Sequence, residues 1–275
     1  MSEPQLKTST RLRPLKDFTK RALLALRFDR LLVSGLSGFL VLCYHSVPRK
    51  GDWYYDTPVL DFRNQIRYIT DNFQIIPSKN LLTQPGRTED NIRVVLTFDD
   101  GYHDNYFNVF SILKEYEVPM TFFITPGIME ESTNKVTEAT KGVRKEILSW
   151  EQVREMSKNP LVTFGSHGLF HSAMTSLGTG EALKEMTDSK RIIEGVTGRE
   201  VHLFAYPGGF FNQETGGLLR SSGYLGAFTS EANLNPWHAS RYEMGRVAIT
   251  SRSRDVPSFA YRISSIFRRA RQEGS

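Results

Sequence analysis

The chain has 275 residues, 39% hydrophobic and 24% charged, a globular composition long enough to bury one α/β core. It has no run of eighteen apolar residues, which argues against a spanning helix, and its lone cysteine, Cys43, excludes an internal disulfide and fits a reducing compartment. The net charge of +5 sits at the ends: residues 1–30 hold eight Lys/Arg against three acids and residues 251–275 six Arg against two, so the body is net acidic and shows no basic stripe for a nucleic acid.

In chain order, residues 1–15 are polar, and residues 16–33 form a basic, Leu-rich segment. Arg27, Asp29 and Arg30 interrupt its apolar stretch, so it reads as an amphipathic helix lying on the body or on a membrane surface and not as a secretory signal. Phe39–Tyr44 is a buried strand that ends at His45-Ser46. Phe62, Ile66, Ile69 and Phe73 have helical spacing. The apolar run Val94–Phe98 is a strand buried on both faces, and it runs straight into Asp99, Asp100 and Gly101.

Tyr106, Phe110 and Leu113 mark a further helix, and Met120–Ile124 a further strand. Residues 126–148 read as a polar surface excursion. Ser149-Trp-Glu-Gln152 has the form of a capping box and should open a helix. The strand Leu161–Phe164 leads into Gly165-Ser-His-Gly-Leu-Phe-His171, and a helix with Leu183, Met186 and Ile193 on one face follows. Val201–Ala205 is a strand that ends in Tyr206-Pro-Gly-Gly209. Late strands fall near Ala227-Phe228 and Val247–Ile249, and the tail carries Phe259, Ile263, Ile266 and Phe267 on one face among arginines. Strand and helix alternate in about seven repeats, which predicts a largely parallel sheet curling into a barrel.

The polar residues that stand out each follow a different predicted strand: His45, Asp99/Asp100, His167/His171 and the Tyr206-Pro-Gly-Gly turn. Parallel strands would bring all four to one rim, where the loops open above a rigid core. Two adjacent carboxylates at such a rim repel unless a cation lies between them, although Asp-Asp-Gly also suits a plain turn. One Asp with two His is a three-donor set that leaves a coordination position open, as catalytic metal sites do. The other Asp is then free to act as a base on a metal-activated water. His103, His202 and His238 lie in less useful places and are set aside.

Three stretches then resemble the polysaccharide deacetylases with the NodB-homology domain, carbohydrate esterase family 4. These are Thr97-Phe-Asp-Asp-Gly101, Ser166-His-Gly-Leu-Phe-His171 and Phe204-Ala-Tyr-Pro-Gly-Gly209, within a resemblance spanning about residues 38–250. The resemblance implies a distorted (β/α)7 barrel that removes acetyl groups, mostly N-acetyl, from an amino-sugar-containing glycan. It implies Asp99 as general base, and Asp100, His167 and His171 as ligands of a divalent metal, commonly Zn2+. Tyr206, Pro207 and Gly208 would line the substrate, with the Gly208 amide toward the oxyanion. Departures are Gly168 where Ser or Thr is common, Ala205 where many members carry an Arg, and Gly208 where many carry Tyr. The Ala-Tyr-Pro form, with Cys43-Tyr-His-Ser46 before the first motif, is similar to the branch that acts on exopolysaccharide of the poly-N-acetylglucosamine type. In that branch His45 becomes the candidate general acid. Arg246, just before the strand Val247–Ile249, is the candidate for the missing Arg and is counted with the substrate-binding residues.

The expected organisation is a basic N-terminal segment at 1–37, a deacetylase domain at 38–250 and a basic C-terminal helix at 251–275. The expected partner is an acetylated carbohydrate. The expected location is cytoplasmic, with the basic ends at the inner face of a membrane or packed on the barrel. Rival readings are an Fe(II) oxygenase built on the two-His, one-carboxylate set, a non-catalytic glycan binder and a deacylase of a small amide.

Overall fold

The computed structural model describes residues 33–83, 91–131 and 146–273. The strands are β1 (Gly38–Tyr44), β2 (Gln74–Ile75), β3 (Ile92–Phe98), β4 (Met120–Ile124), β5 (Val162–Ser166), β6 (Leu203–Ala205), β7 (Gly226–Phe228) and β8 (Val247–Ala248). The helices are α1 (Val59–Asn72), α2 (Ser111–Glu115), α3 (Pro126–Glu131), α4 (Trp150–Ser157), α5 (Thr179–Thr197), α6 (Gln213–Ser221) and α7 (Val256–Glu273). The strands form one parallel sheet in the order β7-β6-β5-β4-β3-β1-β8. A bridge from Phe228 to Met244, three residues before β8, carries the sheet from β7 round toward β1. The expected curled barrel is therefore present, and it is distorted. The lower half of β3 pairs with β2 through Arg93 and Val94, and only Thr97 and Phe98 pair with β4.

Strand alternation sorts the side chains into two layers. Phe39 and Val41 of β1 point inward with Val95, Phe123, Leu203, Ala205, Phe228 and Met244. Leu40, Leu42 and Tyr44 point outward beneath the helices, with Leu96, Phe98 and Phe122. Phe98 stacks between Tyr44 at 5.4 Å and Phe122 at 5.1 Å. Burying such a ring stabilises the fold by about 1.5–3 kcal/mol. The strands thus end at fixed heights, and their C-terminal ends form one rim.

Several local expectations hold. The Ser149 hydroxyl accepts from the Gln152 N–H, and the Gln152 side chain accepts from the Ser149 N–H, which closes the capping box that starts α4. The tail is helical, and Phe259, Ile263, Ile266 and Phe267 of α7 are buried, with rings 6.0 Å from Tyr68 and Phe73 of the α1 region. The basic segment at 16–33 lies outside the described residues except for Val33. Two boundaries differ from expectation. β5 runs on to Ser166, so His167 follows the strand directly. The segment after β3 begins as a π-helix, Asn105–Phe110, and Asp104 just before it and Asn105 at its start turn back toward the loop after β1.

Candidate active site

β1 and β3 are in register from Gly38/Ile92 to Tyr44/Phe98, and the Asp99 N–H donates to the Tyr44 carbonyl at 3.0 Å. His45 and Asp99 therefore leave adjacent strands at the same height. The loop after β1 is pinned from below: the Ser46 hydroxyl and the Val47 N–H donate to Asp104, and the Asn105 amide donates to the His45 carbonyl at 2.9 Å. The two aspartates then part. Asp99 turns inward, whereas Asp100 adopts φ +69°, a left-handed conformation that costs a non-glycine residue on the order of 1 kcal/mol. Such strain marks a position fixed by its surroundings.

Asp99 is buried and receives three donors. Arg246 Nη1 donates to Oδ1 at 2.7 Å, Arg246 Nη2 to Oδ2 at 2.8 Å, and the Cys43 thiol to Oδ2 at 3.3 Å. Burial alone would push the Asp99 carboxyl up. The Arg246 guanidinium, aided by His167, outweighs it and holds the group well below the usual carboxylate range. Arg246 is itself buried: its Nε donates to the Thr229 carbonyl and its charge lies over Phe123 and Phe228. Its position beside β8 fits the expected orienting Arg. Being enclosed behind Asp99, it holds that carboxylate and has no face for a substrate.

Asp100, His167 and His171 converge. Asp100 Oδ1 lies 3.6 Å from His167 Nε2 and 3.4 Å from His171 Nε2, and it is buried without a hydrogen bond. These spacings suit the edges of a coordination shell whose bonds are roughly 2.0–2.2 Å long. His167 Nδ1 meets the Ala205 carbonyl at 2.7 Å, so the proton sits on Nδ1 and Nε2 keeps its lone pair toward Asp100. Burial lowers the His167 pKa to about 4, which keeps the ring neutral. An orphaned buried carboxylate oxygen facing two imidazole nitrogens is the donor set that a divalent metal fits, and zinc satisfies its chemistry.

The segment that delivers His171 is held by a residue the sequence reading passed over. Glu185 of α5 is buried and accepts from the Leu169 N–H at 2.6 Å, the Phe170 N–H at 3.0 Å and the Ser172 hydroxyl at 3.2 Å. Gly168 has φ +78°, where a side chain is strained, and a Cβ there would stand 3.0 Å from Glu185 Oε2, so the Ser or Thr common at this position would crowd that carboxylate. Glu185 had a sequence signal. It shares the buried face of α5 with Ala182, Met186, Ser189 and Ile193, where an acid needs a partner.

His45 stands on the other side of Asp99. Its ring lies 4.6 Å from Tyr55 and 6.3 Å from Trp53, and Nδ1 is buried without a hydrogen-bond partner. Burial lowers its pKa, against the pull of Asp100 and Asp99. Of the third-motif residues, Gly208 is exposed at the rim with φ +66°, and Pro207 is buried near Gly168. The Tyr206 ring corrects the expectation placed on it. It is fully buried beneath the helices, 5.6 Å from Phe204 and 5.5 Å from Phe211, because strand alternation turns Ala205 inward and Tyr206 outward. Any substrate contact from residue 206 is left to its backbone. His103 and His202 pair with Glu146 and Glu200, outside this cluster.

Comparison with known proteins identifies the family and the fold. The polysaccharide deacetylase family profile matches residues 86–227. A putative polysaccharide deacetylase of Bacillus subtilis is 26% identical over 214 residues, covering 76% of this chain and 71% of that protein. The poly-beta-1,6-N-acetyl-D-glucosamine N-deacetylase of Escherichia coli is 25% identical over 138 residues, 48% of this chain but only 20% of that enzyme. Among solved structures, IcaB from Ammonifex degensii superposes with a TM-score of 0.70 at 26% identity, covering 83% of this chain and 98% of that one. The Streptococcus pyogenes deacetylase PplD, at 19% identity and a TM-score of 0.70, shares the fold over 82% of this chain and 97% of its own.

Proposed function

The chain belongs to the polysaccharide deacetylase family and is a carbohydrate deacetylase, and from that premise we propose that it is a metal-dependent hydrolase removing N-acetyl groups from an amino-sugar-containing glycan or glycan intermediate. The observation that carries this reading is a pair of adjacent carboxylates in opposite settings. Asp99 is clamped by Arg246, and Asp100 turns a buried oxygen without a hydrogen bond toward His167 and His171.

Asp100, His167 and His171 would hold the metal, which when bound polarises the acetyl carbonyl and acidifies a water. Asp99, kept ionised by Arg246, takes a proton from the attacking water. His45 gives a proton to the amine nitrogen as its bond to the acetyl carbon breaks. Burial lowers the His45 pKa, so the ring must first take up a proton, and once protonated it is a strong donor. The Gly208 amide is the candidate donor to the developing oxyanion. Half-buried Trp53 and Tyr55 beside His45, and exposed Phe170 and Phe210 in the loops after β5 and β6, offer flat apolar faces that suit sugar rings.

The test is acetate release by the zinc-loaded protein from acetylated amino-sugar polymers and oligomers. Release that disappears on chelation and returns with zinc is expected. No release from any of them would overturn the reading. Cytoplasmic location at a membrane's inner face is part of the proposal, supported by exposed Arg262, Arg269 and Arg271 on α7. Flotation with anionic vesicles tests it, and the absence of salt-sensitive binding would remove it.

A further inference from the structure

Cys43 is the one cysteine of the chain and, beyond its hydrogen bond to Asp99, takes no part in the chemistry above. Strand alternation points it inward, next to Asp99, where its Sγ lies 3.3 Å from Oδ2. One ligand atom each from Cys43, His45 and Asp99 fall within 4.8 Å of one another. This cluster shares no residue with the Asp100, His167 and His171 set. It offers sulfur, imidazole nitrogen and carboxylate oxygen, the mixture that selects zinc and softer divalent ions over magnesium or calcium. His45 Nδ1 is buried without a hydrogen-bond partner, so no protein group satisfies it.

We propose that Cys43, His45 and Asp99 form a second, inhibitory site for a soft divalent cation such as Zn2+ or Cd2+. The inference rests on the hydrolase reading, because the site would occupy the base and the acid at once. Binding replaces the thiol proton: the S–H bond breaks, a sulfur–metal bond forms, and one proton leaves to solvent. Arg246 stands against tight binding. Its charge already meets both Asp99 oxygens, and a metal at the neighbouring centre adds to the repulsion. The second site therefore fills only after the first, and excess metal inhibits.

A single cysteine makes the test clean, because any thiolate–metal absorption must come from Cys43. Protein carrying one equivalent of Zn2+ is titrated with Cd2+ while ultraviolet charge-transfer absorption, bound metal and acetate release are followed together. One thiolate band per chain is expected to grow with the second equivalent, as activity falls at least tenfold. Cys43→Ser should abolish the band and raise the half-inhibiting zinc concentration at least tenfold. His45→Ala, in which the thiol is intact, should weaken the band's cadmium affinity at least tenfold. No band in the wild type at excess cadmium, or equal half-inhibiting zinc in wild type and Cys43→Ser, would overturn the proposal. Failure of the hydrolase reading would show separately, as no acetate release at one equivalent of zinc.

Discussion

The two sides of the cleft are built in different ways. The side of Asp99 is strand-borne: Cys43, Thr97 and Arg246 lie on or beside paired strands, and every Asp99 oxygen has a donor. The side of Asp100 is loop-borne. Asp100 and His171 hold positive φ, and the loop through residues 168–172 is gripped mainly by one carboxylate, Glu185, beside hydrogen bonds from the Gly168 N–H to Ser166 and from the Gly127 N–H to the Leu169 carbonyl. The difference teaches that neighbouring aspartates of identical chemistry acquire separate roles from their surroundings. In the proposed reading the donor-rich carboxylate serves as the base, and the donor-poor one is completed by a cation.

The largest effects are expected on the loop-borne side. Replacing His167 or His171 with Ala should remove the bound metal and bring acetate release to background, as measured by elemental analysis and turnover. Full metal content in both variants would break the comparison. On the strand-borne side, His45→Ala should keep its metal and lose turnover on amides by a factor of order 10²–10⁴. An aryl acetate, whose leaving group needs no proton, should lose much less. Equal losses on both substrates would assign His45 a structural role.

A smaller effect is expected at the grip on the loop. Glu185→Gln should weaken metal affinity by roughly 10–100-fold, the usual cost of losing a residue that orients ligands, and competition with a chelator measures it. The smallest effect lies far from the cleft. Ser149→Ala removes the α4 cap and should cost ~1 kcal/mol in denaturant unfolding with metal content unchanged. A metal loss there would mean that the cleft depends on global stability and not on its local supports.

Much of this was legible in the sequence. Unbroken apolar runs gave β3 and β4 nearly to the residue, because strands buried on both faces leave no ambiguity of face. The rule that residues after parallel strands share a rim was enough to bring His45, Asp99, Asp100, His167 and His171 together. What it missed has a common cause. Glu185 acts from the middle of a helix and Cys43 from inside a strand, so neither lies at a strand end. Tyr206 was assigned by its motif neighbours, although the period of two that turns Ala205 into the barrel turns Tyr206 out of it. The left-handed backbone of Asp100 and His171 has no compositional signal, since neither Asp nor His demands it.

The division between the two aspartates is the central claim, and metal content in paired variants tests it most directly. Purified Asp99→Asn and Asp100→Ala, incubated with one equivalent of zinc and dialysed, should differ sharply. Asp99→Asn should retain close to one zinc per chain while its turnover falls by a factor of order 10²–10⁴. Asp100→Ala should retain almost none. Zinc held by Asp100→Ala and lost by Asp99→Asn would contradict the account and exchange the roles of the two carboxylates.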